Sequence, residues 1–440
     1  MLTQSESQRI AEKVLKFSTF PDCTVSVTED ETAYVRFANN GVTTSAFTLT
    51  RTVNVSSTRD TKTGSSSTND LSDDGLRAAV RRSEEIAAFA PANPEYIEPL
   101  GPQKYPEYDH WDEGTAAARG PQLVPHVKAV IDTAAAKKLI AAGYFESSAY
   151  IESFANKKGN FGYARETDSR LSTTVRNAAG TSSGWAGQPS ARIASINGAD
   201  VGARAVEKCA RWTKPLRLEP GKYTVVLEPT AVGDIVGNLG SFFQARAAEE
   251  GRSFLSKQGG GTLLGEKVFP EIITLRSDPT DRRYPTWRWS AGFLPTRPVS
   301  WVEKGIVKNL IYDRYWAEKT GKPATPFAEN TILEGGNHQL ADLIKATERG
   351  LLVTRFWYIR MVNPQTVQLT GLTRDGLFLI EKGEVTQPVV NLRFTDSPVR
   401  LLQNTTMLGR NERTRGGETG MIAPPLQARD FTFTSVSDAV

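Results

Sequence analysis

The chain has 440 residues, a formal net charge of +4, 39% hydrophobic and 23% charged residues, a balance typical of folded globular proteins and long enough for two or three domains. No segment interleaves Lys and Arg with aromatics, which argues against nucleic acid as a partner, and no apolar run approaches the ~20 residues that span a bilayer. The only two cysteines, Cys23 and Cys209, lie far apart in sequence, as expected of a reduced, cytoplasmic chain rather than a disulfide framework.

The first segment, "SESQRIAEKVLKF" (5–17), sets Ile10, Val14 and Phe17 at helical spacing with charges between them, an amphipathic helix rather than a signal peptide. From Cys23 the period changes to two. "CTVSVTED", "TAYVRFA" and "VTTSAFTLTRTVNVSST" are rich in Val, Thr, Phe and Tyr and predict strands. Asn39-Asn40-Gly41 supplies a hairpin turn, because Asn and Gly tolerate positive φ. A polar loop then feeds a helix over 76–89 that Asp73 or Asp74 can cap.

Residues 91–125 hold many Pro, Gly and Tyr and show no period, the mark of a domain linker or an extended crossing segment. A third helix is expected with Val127, Ile131, Ala135, Leu139 and Ala142 on one stripe, ended by Gly143. Strands return in "YFESSAYIESFAN", "FGYARET" and "LSTTVRNAA". The likeness of "AYVRFAN" (33–39) to "AYIESFAN" (149–156) suggests two related helix-plus-hairpin modules. A helix near 199–212 follows.

The last region opens on the strand "YTVVLEP" and the stretch "VGNLGSFFQARAAEEGRSF" (236–254), which reads as one helix with an apolar face. Trp287, Trp289, Trp301 and Trp316 mark a loop-rich middle that suits either a core or a contact surface, and paired strands close the chain. Strands dominate, so the class is α+β. The expected organisation is an α+β module over 1–95, a linker over 96–125, a second α+β module over 126–218 and a β-rich domain over 219–440.

Local chemistry yields no catalytic constellation. In "GGGTLLGEK" (259–267), Gly260 and Gly265 have phosphate-loop spacing, but Glu266 holds the lysine position and would repel a phosphate. His110, His126 and His338 have no neighbouring His or Cys to share a metal; His110, in "EYDHWDE", reads as an exposed linker residue. Cys209 reads as a buried core thiol within a helix. Glu249 and Glu250 are adjacent on a helix, about 100° apart, and read as a solvated face.

Three stretches together give the order of segments: "YTVVLEP…VGNLGSFFQARAAEEGRSFLS", "RGLLVTRFWYIRMVNPQTVQLTGLTRDGLFLIEKGEVTQPVVNLRF" and "GMIAPPLQARDFTFTSV". That order resembles the TldD/PmbA family of zinc metallopeptidases over nearly the whole chain. In the resemblance, catalytic subunits carry His-Glu-Xaa-Xaa-Xaa-His on a helix and a late cysteine as a further zinc ligand. Counted back from "EEGRSF", Val236 and Ser241 stand at the histidine positions, Gly237 at the glutamate, and Gly240 matches a glycine. No cysteine follows Cys209, and the place of the last ligand falls near 415–418. Valine has no lone pair and serine is a poor zinc ligand at neutral pH.

The resemblance therefore implies a non-catalytic, PmbA- or TldE-like subunit with no catalytic residue, metal or cofactor of its own. It implies a TldD-like partner holding the zinc, and unfolded peptide as the substrate. The alternatives are a stand-alone peptide- or protein-binding homodimer, and a metallopeptidase with an unrecognised site built on His338 or the "EYDHWDE" cluster.

Overall fold

A computed structural model describes residues 1–414 and 420–437. Helix α1 (Gln4–Phe17) starts at Thr3, whose hydroxyl accepts from the Glu6 N–H while the Glu6 carboxylate accepts from the Thr3 N–H. This reciprocal cap satisfies two amides that the helix itself leaves free. Strands β1 (Asp22–Ala38) and β2 (Gly41–Arg59) turn at Asn39 and Asn40, with φ of 51° and 59°, the left-handed pair that a tight hairpin needs. Strand β3 (Lys62–Thr68) and helix α2 (Asp73–Phe89) complete a first unit; Ser72 caps α2 by accepting from the Gly75 N–H.

The linker region contains the short helix α3 (Glu113–Ala116) and the first residues of α4 (Gly120–Ala135). The third helix thus begins earlier than its apolar stripe indicated and ends before Leu139. Lys138 takes φ 57°, and Ala142 already lies in strand β4 (Ile140–Asn156). Strands β5 (Phe161–Arg176) and β6 (Ser183–Ser190) and helix α5 (Gly198–Arg211) form a second unit of the same element order. All six strands share one sheet, in the order β3-β2-β1-β4-β5-β6, joined by the antiparallel pair β1–β4.

Period-two alternation gives this sheet two unlike faces. Val25, Val27 and Val53 pack with α1 and α2 in one core, and Phe145, Leu171 and Val175 with α4 and α5 in another. The opposite face carries mainly Ser, Thr, Asp and Glu from β1, β4 and β5.

In the C-terminal region β7 (Gly221–Leu227) pairs in parallel with the strand Arg349–Asn363 and antiparallel with Leu426–Val436. Leu392–Asp396 and Gln368–Glu381 continue the sheet, and Gln368–Glu381 pairs back onto Arg349–Asn363. Five strands thereby close on themselves around Val225, Leu227, Leu351, Val353, Phe394 and Phe431. The fold is α+β with a strand-rich C-terminal part. Among the described residues no helix is long and apolar enough to cross a membrane.

Candidate functional site

Strand β7 runs into α6 (Pro229–Val236), a 3₁₀ run over Gly237–Phe242 and then α7 (Ala245–Glu249). The stretch 236–254 is therefore three short pieces and not the single helix its apolar spacing suggested. Asn238 shows one cause. Its side-chain amide donates to the Asp234 carbonyl at 2.7 Å, offering that oxygen a partner other than the helical N–H.

These pieces wall a cleft of about 840 Å³. Gly237, Asn238, Gly240 and Ser241 line one side. Residues 355–360 form the facing side, Ser172 and Trp185 reach in from the N-terminal sheet, and Phe327, Glu329 and Thr331 close a third. Val236 is fully buried in the main core and does not line the cleft. The register counted from the sequence thus puts its first ligand position in the core, while Gly237, Gly240 and Ser241 border the open space. The late position near 415–418 lies outside the described residues.

The facing wall is a strand edge. Arg349–Asn363 pairs along its length with Gln368–Glu381, but with β7 only over Leu351–Val353. Beyond Val353 the neighbouring chain has turned into α6, and the Phe356 N–H donates instead to the Asp234 carboxylate at 2.8 Å. Trp357 and Tyr358 are exposed here. Two arginines meet behind the edge: Arg355 and Arg374 approach the buried Asp375 carboxylate at 3.5 and 3.6 Å. Arg355 lies 5.0 Å over Trp185, and Arg374 4.2 Å over Trp357. The cleft thus offers aromatic faces and main-chain groups, the elements that hold an extended chain by strand addition.

The donor set does not fit zinc. No His or Cys lines the cleft, and the described residues contain no group of three or more His, Cys, Asp and Glu able to hold a metal. His110 is buried rather than exposed, with Nε2 2.8 Å from the Pro279 carbonyl. Burial holds it and His126 below the ordinary imidazole range. His338 is exposed, bridging to Gly409 away from the cleft. Cys209 is buried in α5 and its thiol is pushed up by burial.

Glu249 is not a solvated group. It accepts from Tyr312 Oη at 2.7 Å, Trp316 Nε1 at 2.6 Å and Lys322 Nζ at 3.1 Å. Gly259, Gly260 and Gly261 form a loop at positive φ. Trp289, Trp301 and Trp316 are buried, whereas Trp287 is partly exposed; Trp287 and Trp289 both line a cavity.

Comparison with known proteins gives a concordant result. Residues 220–435 match the PmbA/TldA metallopeptidase C-terminal domain, and residues 23–87 match PmbA/TldA metallopeptidase domain 1, together more than half of the chain. A metalloprotease of Methanothermobacter thermautotrophicus is 25% identical over 239 residues, 50% of each chain; the chain spans about half the length of this curated relative. TldE of Thermococcus kodakarensis superposes with a TM-score of 0.86 over 97% of this chain and 99% of that one, at 18% identity. A Bacteroides thetaiotaomicron protein, described as a proposed modulator of DNA gyrase, superposes with a TM-score of 0.84 over 99% and 100%, at 21% identity. The chain belongs to the PmbA/TldD family of metallopeptidases.

Proposed function

We propose that this chain is the non-catalytic subunit of a heteromeric, TldD/TldE-type zinc metallopeptidase. Its task is to hold an unfolded peptide while a TldD-like partner supplies the metal and the hydrolysis. The carrying observation is the cleft itself. It keeps an open strand edge and aromatic walls, yet no His or Cys lines it, and Gly237, Asn238, Gly240 and Ser241 border its open space. Strand addition reads main-chain groups and so suits substrates of varied sequence. The likeness to TldE supports the fold on which this reading rests.

The test is to mix the chain with a family member bearing His-Glu-Xaa-Xaa-Xaa-His and follow cleavage of an unfolded peptide. The expected result is a co-eluting complex with chelator-sensitive activity, and no stoichiometric zinc in the isolated chain. One zinc per isolated chain with turnover of its own would overturn the proposal. The stand-alone homodimer draws on one observation, the exposed apolar residues Val42, Phe47 and Leu49 on β2. It would be favoured if the chain binds peptide as a dimer and no catalytic relative associates.

A further inference from the structure

The cleft does not end at its own walls. Phe327 and Glu329 also line a second cavity of about 540 Å³ that reaches Glu152, Trp287 and Trp289. Trp287 in turn borders a third cavity of about 320 Å³, formed with Glu146, Glu166 and Asp168 on the polar face of the N-terminal sheet. The three spaces adjoin through shared walls and form a seam between that sheet and the C-terminal loops.

The charge along this seam is not balanced. Asp168 is matched by Arg170 Nε at 2.6 Å and Arg413 Nη1 at 2.7 Å. Glu152, Glu166 and Glu329 have no ion pair among the described residues. Glu166 Oε2 is sealed from solvent and has no hydrogen-bond partner, although its side chain lines the third cavity. A buried carboxylate oxygen without a donor is costly unless something supplies one. Burial, then the neighbouring Asp168, pushes the Glu166 carboxyl up to about 8; burial, then Glu329, pushes Glu152 up to about 7. The other charged and titratable groups bearing on the seam include Asp30 of β1, Glu146 and Tyr150 of β4, Tyr284, and Asp313 in the second cavity.

Aromatic faces accompany the carboxylates. The Tyr150 ring centroid lies 5.0 Å from that of Trp287, which stacks on Trp289 at 6.4 Å. Such rings accept the aliphatic stem of a long cationic side chain and attract its head. An anion would meet three carboxylates that lack an ion pair, and an apolar side chain would leave them without a cation.

We propose that the seam is a subsite for a lysine or arginine side chain of the peptide held in the cleft, with Glu152 and Glu166 as its acceptors. This inference rests on the peptide-binding reading and adds a substrate preference to it. The cation is assigned to a peptide because Phe327 and Glu329 line both the cleft and the adjoining cavity, which puts the seam next to a chain held on the strand edge.

The test uses two labelled, unstructured peptides that differ only in lysine against glutamine at two positions, with anisotropy read on the wild-type chain and on Glu152→Gln/Glu166→Gln. The wild type should bind the lysine peptide about tenfold tighter, equivalent to about 1.4 kcal/mol. The preference should shrink with added salt and vanish in the double variant, whose binding of the glutamine peptide is unchanged. Because glutamine removes repulsion without changing shape, the variant should melt no lower than wild type, which separates lost binding from lost fold. Binding of neither peptide would overturn the cleft reading itself. Equal binding of both, or a lysine preference that survives the double variant, would overturn the subsite and leave the cleft reading standing. Competition by a free diamine at peptide-like concentrations would assign the seam to small amines and also overturn it.

Discussion

The two units of the N-terminal sheet make a natural comparison, because one topology has been put to two uses. Each runs helix, three antiparallel strands, helix, and they meet at β1 and β4. Their registers correspond: the pair Asp30–Thr50 of β1–β2 answers to Ser148–Asp168 of β4–β5, and Ser57–Gly64 to Val175–Gly184. On the helix side the solutions match. A Cβ on Gly64 would stand 2.2 Å from the Ser83 carbonyl of α2, and one on Gly184 2.2 Å from the Ala205 carbonyl of α5. On the other side they part. Thr48 and Thr50 of β2 face solvent, whereas their counterparts Glu166 and Asp168 lie under the C-terminal loops. Strand pairing and helix packing fix the core of such a unit; what covers its free face decides whether that face becomes a site.

The largest expected effect concerns what the units share. Gly64→Ala and Gly184→Ala each push a methyl group into helix backbone, which has no rotamer with which to yield. Each should lower stability by about 2–3 kcal/mol, read by chemical denaturation. The two should differ in function. Gly184 adjoins Trp185, which lines the cleft, so displacing β6 from α5 should weaken peptide binding, while Gly64→Ala leaves it intact under folding conditions. Equal losses of binding would show that the units are not functionally distinct.

The second effect belongs to one unit only. Glu152 and Glu166 have folded-state values of about 7 and about 8, above their ordinary 4.5. A raised carboxyl holds its proton in the folded chain over a range where the unfolded chain has released it, so stability falls as pH rises from about 5 through about 8. The loss should be on the order of a few kcal/mol. Glu166→Gln should flatten the profile, gaining stability at pH 8 and little at pH 5. Thr48→Glu, at the matched position of the other unit, should add no such slope. A flat wild-type profile in thermal melts across that range would refute the assignment.

The comparison also shows what a sequence displays and what it conceals. The alternation in "CTVSVTED" and "ESSAYIES" marks the polar face, and Asn39-Asn40-Gly41 places the first hairpin, because both signals are local. Three features resisted reading because they depend on distant partners. The likeness of "AYVRFAN" to "AYIESFAN" is two residues out of step with the structural register, in which Ala33 answers to Ile151. "EYDHWDE" looked exposed, yet His110 is 8% exposed because the Pro279 loop folds over it. Residues 236–254 have helical spacing, but apolar periodicity does not register the Asn238 side chain that competes at the end of α6. The cleft was legible only as a set of positions. Ser172, Trp185 and Glu329 carried no local mark, since segments distant in sequence bring them there. The one available signal was the aromatic run "RFWYIR", which follows the buried first half of its strand and is exposed at Trp357 and Tyr358.

The smallest expected effect lies on the free strand of the first unit. Leu49 is 47% exposed, and with Val42 and Phe47 it leaves this half of β2 apolar and largely open, with Arg119 at the start of α4 lying over the Phe47 ring. Its counterpart Thr167 is 1% exposed, accepting from the Asp112 N–H at 3.1 Å and donating to the Ala191 carbonyl at 3.0 Å. The same replacement therefore has opposite consequences in the two units. Thr167→Lys buries a charge and strips two hydrogen bonds, so it should cost several kcal/mol or prevent folding. Leu49→Lys exchanges one solvated side chain for another and puts a charge on an edge otherwise open to pairing. It should change the stability of the isolated chain by less than about 0.5 kcal/mol. The measurement is denaturation of both variants at two protein concentrations. A loss above about 1 kcal/mol for Leu49→Lys that grows with concentration would show that β2 is covered in solution by a second copy. The helix-side face of β2 beyond its own helices would then be covered by a second copy, where the matching part of β5 is covered within the chain.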